Sequence, residues 1–516
     1  MRSIHPMKTS ARRIAIMDLG SNSARLIVVE YFPGWSFRII DEVSHRVRLS
    51  DGMYQDGMLQ PSAMRRAVEA IKMFRALCDT NGVKQIVPIA TAAVRDAKNQ
   101  KEFLNQLMQA SRLQFQVLSG NEEADLSALG AINGVGIRNG FVMDVGGGST
   151  EISEVRNGHN YQSVTTPLGA LRLTELFLSG TAVRPKDMRN IHRYISDALK
   201  TVPWLQKSPG RRTSFFGLGG TLRALVRIDR EYQSYPLELM NGYELPLRRI
   251  EEMISHMMKL SVSERAQRIH GLQADRADII LAGAMIVTAI LKKVGANRII
   301  ISGQGVREGV FYKRFLPEST VGVIPCLREF SVLNLTRVYG SKENHTQQVA
   351  KLALSLFDQL SDRHRYGSLE REYLWAAAQL HDVGMVIDYY DHHEHSAYIV
   401  LHSGLPGYTH REIALIALLC LYHRKGRPNL KPYSALFRSD DLIRLKRLTA
   451  LLRLAEYLDR SGTQAVDGLV LSFENRRNVR LRIQSREKTG AYFEAWEAQR
   501  NAELFNESFG CRLEIT

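Results

Sequence analysis

The chain begins with apolar runs separated by turns of small residues, a pattern that predicts strands joined by tight loops. Residues 14–18 (IAIMD) end in Asp18, a small-residue turn follows, and residues 26–30 (LIVVE) resume as a strand. The same order recurs in residues 141–152 (FVMDVGGGSTEI), where Asp144 precedes three glycines and a second strand. Asp144 follows Asp18 by 126 residues, so the pattern predicts two duplicated lobes that face each other across a cleft.

The alternation of strands and helices continues to about residue 316 and then gives way to helices. Helical periodicity in residues 61–80 and a strand-forming run in residues 83–90 are typical of the first part. Long amphipathic helices are predicted to begin at His345, Leu369, Glu394, His410 and Asp440. An alternating strand at 479–483, a helix at 491–504 and a strand at 511–515 then indicate a small α/β module.

The length and composition predict a globular protein of several domains. A chain of 516 residues exceeds the roughly 250–300 residues at which a single core stops growing. The longest apolar run, residues 279–291, is shorter than the roughly 20 residues that a membrane-spanning helix needs, so we expect a buried helix. The basic N-terminus is not followed by an apolar segment with a cleavage site, and we expect a cytoplasmic protein without membrane partners.

The positions of the cysteines exclude two kinds of site, and the net charge indicates which partners the surface attracts. Cys78, Cys326, Cys420 and Cys511 lie far apart, so neither a disulfide framework nor a zinc knuckle is predicted. The formal net charge is +16, and such a surface attracts polyanions, namely nucleic acid, nucleotides or polyphosphate. Aromatic residues are only 8% of the chain and no RNA-binding aromatic motif occurs, which makes nucleic acid the weaker of these partners.

The three glycines after Asp144 predict an anion site. Glycines let several backbone N–H groups turn toward one point and let phosphate approach the main chain closely. Asp144 and Glu151 flank these amides, and two carboxylates beside a phosphate predict a magnesium-type cation between them. A lone glycine triplet is more often an ordinary hairpin, but further glycine turns at 217–220 and 303–305 favour loops that converge on one anion.

Arg95 and the acidic pair Glu122 and Glu123 also lie next to predicted strand ends. Arg95 follows a strand at the mouth of the sheet, where it either forks onto a phosphate or is a solvated arginine at a helix start. Glu122 and Glu123 occupy a first helical turn, where acidic residues commonly offset the helix dipole. The alternative is that one of them faces the cleft and orients a water molecule.

The helical part contains a second group of candidate ligands. His345, the adjacent His381 and Asp382, and Asp459 lie on separate predicted helices and can converge on one divalent ion. Scattered histidines are more often core or surface residues, and such a site can be retained as a scaffold. Both interpretations stay open.

Six short motifs occur together and in order in the first part of the chain. They are DLGSNS (18–23), TAAVR (91–95), SGNEEA (119–124), DVGGGSTE (144–151), GLGGT (217–221) and VREG (306–309). This set resembles the exopolyphosphatase and guanosine pentaphosphate phosphohydrolase family over roughly residues 12–312. The later motifs HDVG, HHEHSAYIV and LPGYT are similar to the long, HD-containing exopolyphosphatases.

The resemblance implies an α/β fold with two duplicated actin-like, ribonuclease H-like lobes, an all-α HD-type bundle and a small α/β C-terminal module. The implied domains are residues 1–135, 136–312, 313–465 and 466–516.

The resemblance also implies roles for individual residues. Glu122 is expected to be the general base, and Asp144 and Glu151 are expected to bind Mg²⁺ or another divalent cation. The expected phosphate-binding residues are Asp18, Gly20, Asn22, Arg95, Gly146, Gly147, Gly148, Ser149, Gly219 and Thr221. The HD positions His345, His381, Asp382 and Asp459 are all filled, which leaves open a second divalent metal and a second activity.

The expected function is that of an exopolyphosphatase, which hydrolyses terminal phosphoanhydride bonds of inorganic polyphosphate and releases orthophosphate processively. The nearest alternative is hydrolysis of guanosine pentaphosphate, which ends in the same kind of bond. An ATP-dependent kinase or chaperone of the same fold and a silent polyphosphate or nucleotide sensor are further alternatives. The family resemblance also implies a homodimer.

Overall fold

A computed structural model describes residues 10–178, 183–206, 214–316, 321–340, 342–475, 477–485 and 491–516. The chain divides into two compact units. The first unit consists of residues up to 235 together with 240–325, and the second consists of residues 236–239 and 326–516.

The first sheet of the first unit contains the N-terminal strands. Strand β1 lies between an antiparallel pair on one side and two parallel strands on the other, in the order β3-β2-β1-β4-β5. Residues 14–17 of β1 are fully buried, as expected for a central strand covered on both faces. The strands are β1 (Arg12–Leu19), β2 (Ser23–Phe32), β3 (Ser36–Arg46), β4 (Gln85–Ala90) and β5 (Gln116–Val117).

The second sheet repeats this topology. Its strand order is β10-β11-β9-β6-β7-β8, in which β6, β7 and β8 form an antiparallel meander and β9 and β11 run parallel to β6. The strands are β6 (Gly140–Val145), β7 (Thr150–Arg156), β8 (His159–Thr166), β9 (Phe215–Leu218), β10 (Glu244–Pro246) and β11 (Arg298–Ile301). The recurrence of a hairpin followed by parallel strands agrees with the duplication that the sequence predicts.

The two first hairpins match residue by residue. In the first sheet Asp18 pairs with Arg25 across β1 and β2, and in the second sheet Asp144 pairs with Glu151 across β6 and β7. Both members of the second pair follow their counterparts by 126 residues. The duplicated position opposite the aspartate is therefore a cation in one lobe and an anion in the other.

Helices cover these sheets. Pro61 begins α2, where a missing N–H costs nothing, and the apolar run predicted to be a buried helix is α11. The helices are α1 (Met53–Asp56), α2 (Pro61–Thr80), α3 (Ala92–Arg95), α4 (Gln100–Ser111), α5 (Gly120–Val135), α6 (Ala170–Phe177), α7 (Pro185–Lys200), α8 (Gly219–Gln233), α9 (Leu247–Met257), α10 (Val262–Arg268), α11 (Ile280–Val294) and α12 (Val306–Phe315).

The second unit is mainly helical, as the sequence predicts. Leu374, Leu418 and Leu451 lie in its core on three different helices. The helical pattern of the sequence predicts that His381 and Asp382 lie within a helix. In the structure α16 ends at Leu380, so both residues follow the helix instead. The helices are α13 (Leu327–Tyr339), α14 (Glu343–Gln359), α15 (Ser361–His364), α16 (Ser368–Leu380), α17 (His392–Ser403), α18 (His410–Tyr422) and α19 (Asp441–Tyr457).

A small sheet closes the second unit. Strand β13 runs antiparallel to β12 and parallel to β14. The helix predicted at 491–504 is two helices, because the backbone leaves the helical conformation at Asn501. The elements are β12 (Val466–Phe473), β13 (Asn478–Ser485), α20 (Tyr492–Arg500), α21 (Glu503–Phe509) and β14 (Arg512–Ile515).

Two expectations drawn from composition can be compared with this fold. In the described part of the chain, no helix combines the length and the apolar character that crossing a membrane requires. The cysteines are unpaired, as predicted, and Cys326 is exposed whereas the other three are buried.

Candidate active site

A cavity of about 130 Å³ lies between the two sheets of the first unit. Its walls are the turns that follow β1, β6, β9 and β11, so the cavity sits at strand ends, where open α/β sheets place ligands. Most of the site residues expected from the sequence line it. They are Asp18, Gly20, Asn22, Asp144, Gly146, Gly147, Gly148, Ser149, Glu151, Gly219 and Thr221.

The glycine turns allow the lobes to approach each other closely. A Cβ atom at Gly148 would lie 2.7 Å from the Ser21 hydroxyl and from the Tyr54 hydroxyl, both of which belong to the first lobe. Gly219 has φ +93°, and a Cβ atom there would lie 2.8 Å from Asp144 Oδ1. Side chains at these positions would push the cavity walls apart.

Two helices point their first turns at the cavity. Gly219, Gly220 and Thr221 begin α8, and Gly305 and Val306 begin α12. The first N–H groups of a helix have no partner within it and carry a partial positive charge. This end of the cavity is suited to a phosphate.

Carboxylates from both lobes converge on the same space. Glu123 and Glu151 are buried, and Asp18 and Asp144 are half-buried. Burial raises the pKa of Asp18 to about 6 and that of Glu123 to about 7. Burial and the nearby charges of Glu123 and Asp144 raise the pKa of Glu151 well above its ordinary value.

The carboxylates have the donor chemistry of a divalent-cation site. Asp144 Oδ2 accepts a hydrogen bond of 2.8 Å from the Ser127 hydroxyl, and Glu151 Oε1 accepts one of 2.7 Å from the Ser149 hydroxyl. Asp18 Oδ1 is buried and has no hydrogen-bond partner among the described residues. Hard cations such as Mg²⁺ prefer oxygen ligands, so these residues fit the predicted cation.

Arginines line the cavity as well, and sequence reasoning missed them. The charge of Arg223 and burial lower the pKa of Arg25 to about 9, and burial lowers the pKa of Arg276 to about 10. The Arg276 guanidinium lies against Gly220, where a Cβ atom would come within 2.4 Å of it. Like charges held together in this way indicate a polyanionic ligand. The arginines are Arg25, Arg223, Arg276 and Arg307.

Glu122 does not face the cavity. Its carboxylate accepts a hydrogen bond of 2.8 Å from the Ser119 amide, and the Ser119 side chain accepts one from the Glu122 amide, which together form a capping box at the start of α5. Glu122 is exposed, whereas its neighbour Glu123 is buried and lines the cavity. The geometry therefore assigns the predicted position in the cleft to Glu123.

Arg95 contacts a cleft residue rather than lining the cleft. Its Nη1 donates hydrogen bonds to Glu123 Oε2 at 2.8 Å and to the Leu118 carbonyl at 3.1 Å. The guanidinium thus fixes the Glu123 carboxylate. The sequence predicts that Arg95 contacts phosphate, but Arg95 is not among the residues that line the cavity.

The residues of the predicted histidine site lie in the second unit. His345, His381 and Asp382 come together and are buried. Asp459 contacts the outer side of this group instead of belonging to it. Its Oδ2 lies 2.8 Å from His345 Nδ1, and its Oδ1 accepts a hydrogen bond from the Gln464 amide. Glu456, which sequence reasoning did not select, occupies the place next to both histidines.

The repeated sheets and the glycine-lined cavity between them are the arrangement of the actin-like class of phosphate-handling proteins. The family model of the Ppx/GppA phosphatases matches residues 27–318, and the model of domain III of these phosphatases matches residues 327–497. The chain belongs to the Ppx/GppA phosphatase family.

Two solved structures are each similar to this chain over about 60% of its length. The Aquifex aeolicus family member is 27% identical, with a TM-score of 0.51, and the match covers 60% of this chain and 99% of that one. An exopolyphosphatase from Cytophaga hutchinsonii is 24% identical, with a TM-score of 0.55, and the match covers 60% of this chain and all of that one. The family and the fold support phosphatase activity and therefore a hydrolase.

Proposed function

We propose that the chain is an exopolyphosphatase that removes the terminal phosphate of inorganic polyphosphate. The observation that carries this proposal is the meeting of glycine-turn amides, arginines and clustered carboxylates in one cavity. Amides and guanidinium groups bind phosphate oxygens, and carboxylates hold a cation and activate water. The Cytophaga hutchinsonii neighbour, an exopolyphosphatase of similar fold, supports this substrate class.

In the proposed reaction, Glu123 accepts a proton from a water molecule. The water oxygen forms a bond to the terminal phosphorus while the P–O bond of the anhydride on the opposite side breaks. Orthophosphate is released, and the shortened chain leaves with the electron pair of the broken bond. Arg95 holds the Glu123 carboxylate in place through its hydrogen bond of 2.8 Å.

Asp144 and Glu151 would hold the divalent cation, which we propose to be Mg²⁺. Bound there, it would neutralise charge on the transferred phosphoryl group. The amides of the glycine turn and of Ser149 would fix the remaining oxygens of that group, whereas the Ser149 hydroxyl already donates to Glu151.

The residues that line the cavity favour a chain of phosphates over a nucleotide as the substrate. Among the described residues that line the cavity, none is aromatic, so no ring is available there to stack on a purine. The arginines instead offer repeated contacts to phosphates behind the terminal one. A chain held by several such contacts stays bound between cleavages, and we propose that release is processive.

The decisive experiment compares orthophosphate release from long polyphosphate and from guanosine pentaphosphate, at equal concentrations of terminal phosphate, with and without Mg²⁺. We expect faster release from polyphosphate, dependence on the added cation, and few chains of intermediate length during the reaction. Preference for guanosine pentaphosphate would overturn the substrate assignment. Binding of polyphosphate without any release in Mg²⁺ would instead indicate a sensor.

A further inference from the structure

The second unit contains a buried cluster of imidazoles and carboxylates that is independent of the cleft. Its members come from the ends of α14, α16, α17, α18 and α19, and each is at most 8% exposed. They are His345, His381, Asp382, His392, His423 and Glu456.

Three of these histidines have their tautomer fixed by the backbone. Nδ1 of His381, His392 and His423 lies 2.8, 2.6 and 2.7 Å from the carbonyl oxygens of residues 378, 389 and 420. A carbonyl only accepts hydrogen bonds, so each Nδ1 carries the proton. In each ring Nε2 is therefore the atom that can offer a lone pair to the cluster, the orientation that metal-binding histidines adopt.

These lone pairs face other acceptors rather than donors. His392 Nε2 lies 3.2 Å from His423 Nε2 and 3.3 Å from Asp382 Oδ1, and His381 Nε2 lies 3.1 Å from Glu456 Oε2. His381 Nε2 and Asp382 Oδ1 are buried without a hydrogen-bond partner among the described residues. Acceptors held together in this way repel one another unless a cation lies between them.

The spacing of these atoms is that of ligands around a metal ion. Ligands about 2.0–2.2 Å from one ion lie roughly 3.0–3.6 Å from each other, and the contacts between neighbouring acceptors here fall at 3.1–3.8 Å. His345, His381, Asp382 and Glu456 surround one position, whereas Asp382, His392 and His423 surround a second. The Asp382 carboxylate belongs to both sets.

We propose that this cluster binds a pair of divalent transition-metal ions bridged by Asp382. Mixed imidazole and carboxylate ligands suit Zn²⁺, Mn²⁺, Fe²⁺ or Co²⁺ better than Mg²⁺ or Ca²⁺. Asp459 is a positioning residue, because it contacts His345 Nδ1 and so directs His345 Nε2 toward the first ion.

The pair of ions is not enclosed on all sides. A cavity of about 620 Å³ within the second unit is lined by His345, Asp382 and Glu456, and by the cationic side chains of Lys342 and Arg460. An open side leaves coordination positions for water or an anion, as in catalytic metal sites and in contrast to closed structural ones.

The test measures metal content of the full chain after removal of metal with a chelator, reloading with Zn²⁺ in excess Mg²⁺, and dialysis. We expect two zinc ions per chain by mass spectrometry, and two anomalous peaks about 3.5–4 Å apart in a crystal of the zinc form. One zinc ion or none in the wild-type chain would overturn the pair. The anomalous peaks are measured on the wild-type chain, so this experiment tests the pair of ions even if a substituted chain does not fold.

Variants assign the ligands. His423→Ala should retain one zinc ion, Asp382→Asn should lose both, and Asp459→Asn should bind zinc about 10–100-fold more weakly. His402→Ala, which removes an exposed histidine of α17, is the matched control and should retain two. Two ions retained by His423→Ala would overturn the second position. Glu151→Gln, which alters the cleft, should also retain two, so failure of the proposed function would not affect this result.

Discussion

Glu122 and Glu123 are adjacent in the first turn of α5, yet only Glu123 reaches the cavity. Successive residues of a helix point about 100° apart, so one side chain caps the helix end while the next faces the cavity. The sequence does contain a local signal that distinguishes the two, because Ser119 and Glu122 fit the S-x-x-E pattern of a capping box, whereas Glu123 does not. That the free glutamate lines the cavity depends on how α5 packs, which is a tertiary property.

The two glutamates form a matched pair for a test at the residue scale. We expect Glu123→Gln to lower phosphate release by at least about 100-fold, because the amide cannot accept the proton of the attacking water. Binding of polyphosphate should survive, since the amides and arginines are unchanged. Steady-state kinetics and equilibrium binding to polyphosphate measure the two effects.

Glu122→Gln should leave turnover unchanged. It weakens only the capping box, with a cost of about 0.5–1 kcal/mol in the free energy of unfolding. Full loss of activity in Glu122→Gln together with an active Glu123→Gln would reverse the assignment.

Asp459 and Glu456 show a similar limit at the end of α19. Glu456 lies in the last turn of the helix, and Asp459 lies beyond its end at Tyr457. Both acids lie near the end of the same helix, and only the course of the chain after Tyr457 places Asp459 next to His345 Nδ1. The motif HD was visible in the sequence, whereas the identity of the acid beside it required the structure.

At the scale of elements, one arginine ties three helices of the second unit together. Arg328 of α13 donates to Glu412 Oε1 of α18 at 3.0 Å and to Glu372 Oε1 of α16 at 2.7 Å. Glu412 is only 7% exposed. Burial alone would raise the pKa of Glu412, but the hydrogen bond from Arg328 and the Thr409 amide hold it below its ordinary value.

We expect Arg328→Met to lower the free energy of unfolding by roughly 2–3 kcal/mol at pH 7. This is less than the 3–5 kcal/mol typical of a fully buried pair, because Arg328 keeps part of its exposure. Ionised Glu412 stabilises the fold above the ordinary glutamate pKa of 4.5, and this contribution is lost as the pH falls through the lowered value. The difference between wild type and variant should therefore shrink on acidification, as urea unfolding followed by circular dichroism at pH 7 and pH 4 will show.

Arg371→Met provides the control for this prediction. Arg371 contacts Asp358 with both side chains about half exposed, and such pairs contribute no more than about 1 kcal/mol. An equal effect of the two substitutions, or a difference that grows as the pH falls, would contradict the role given to Arg328.

The elements themselves were largely predictable. Helix α2 begins at Pro61 and ends at Thr80, as its apolar periodicity predicts, because a long amphipathic pattern is a local property of the chain. The break at Asn501 between α20 and α21 was not predicted. No proline or glycine marks it, so the sequence offered no signal for the end of the helix.

At the scale of the molecule, the overall positive charge and the arginines of the cavity are two separate features. The net charge of +16 is an overall property that the sequence states directly. The cavity arginines are different, because residues 25, 223, 276 and 307 come from separate parts of the chain and only folding brings them together. The spacing of 126 residues predicted the duplication, but not which side chains the facing lobes would share.

We expect the affinity for long polyphosphate to depend strongly on salt. Raising NaCl from about 50 to 500 mM should raise KM for long chains by about tenfold or more, because surface attraction is screened within a few ångströms at high ionic strength. Tripolyphosphate, which is short enough to contact little beyond the cavity, should show a much smaller change. Parallel KM measurements across a salt series test this, and equal salt dependence for both substrates would exclude a contribution from the surface.

The cross-strand pairs of the two hairpins have a last consequence. A linear polymer of identical phosphates has no head or tail, so any sense of direction must come from the protein. After duplication, the position across from the aspartate became Arg25 in one hairpin and Glu151 in the other, although the two backbones still correspond. The two hairpins are therefore no longer equivalent, and this difference gives the cavity a direction that the repeated backbone alone would not provide.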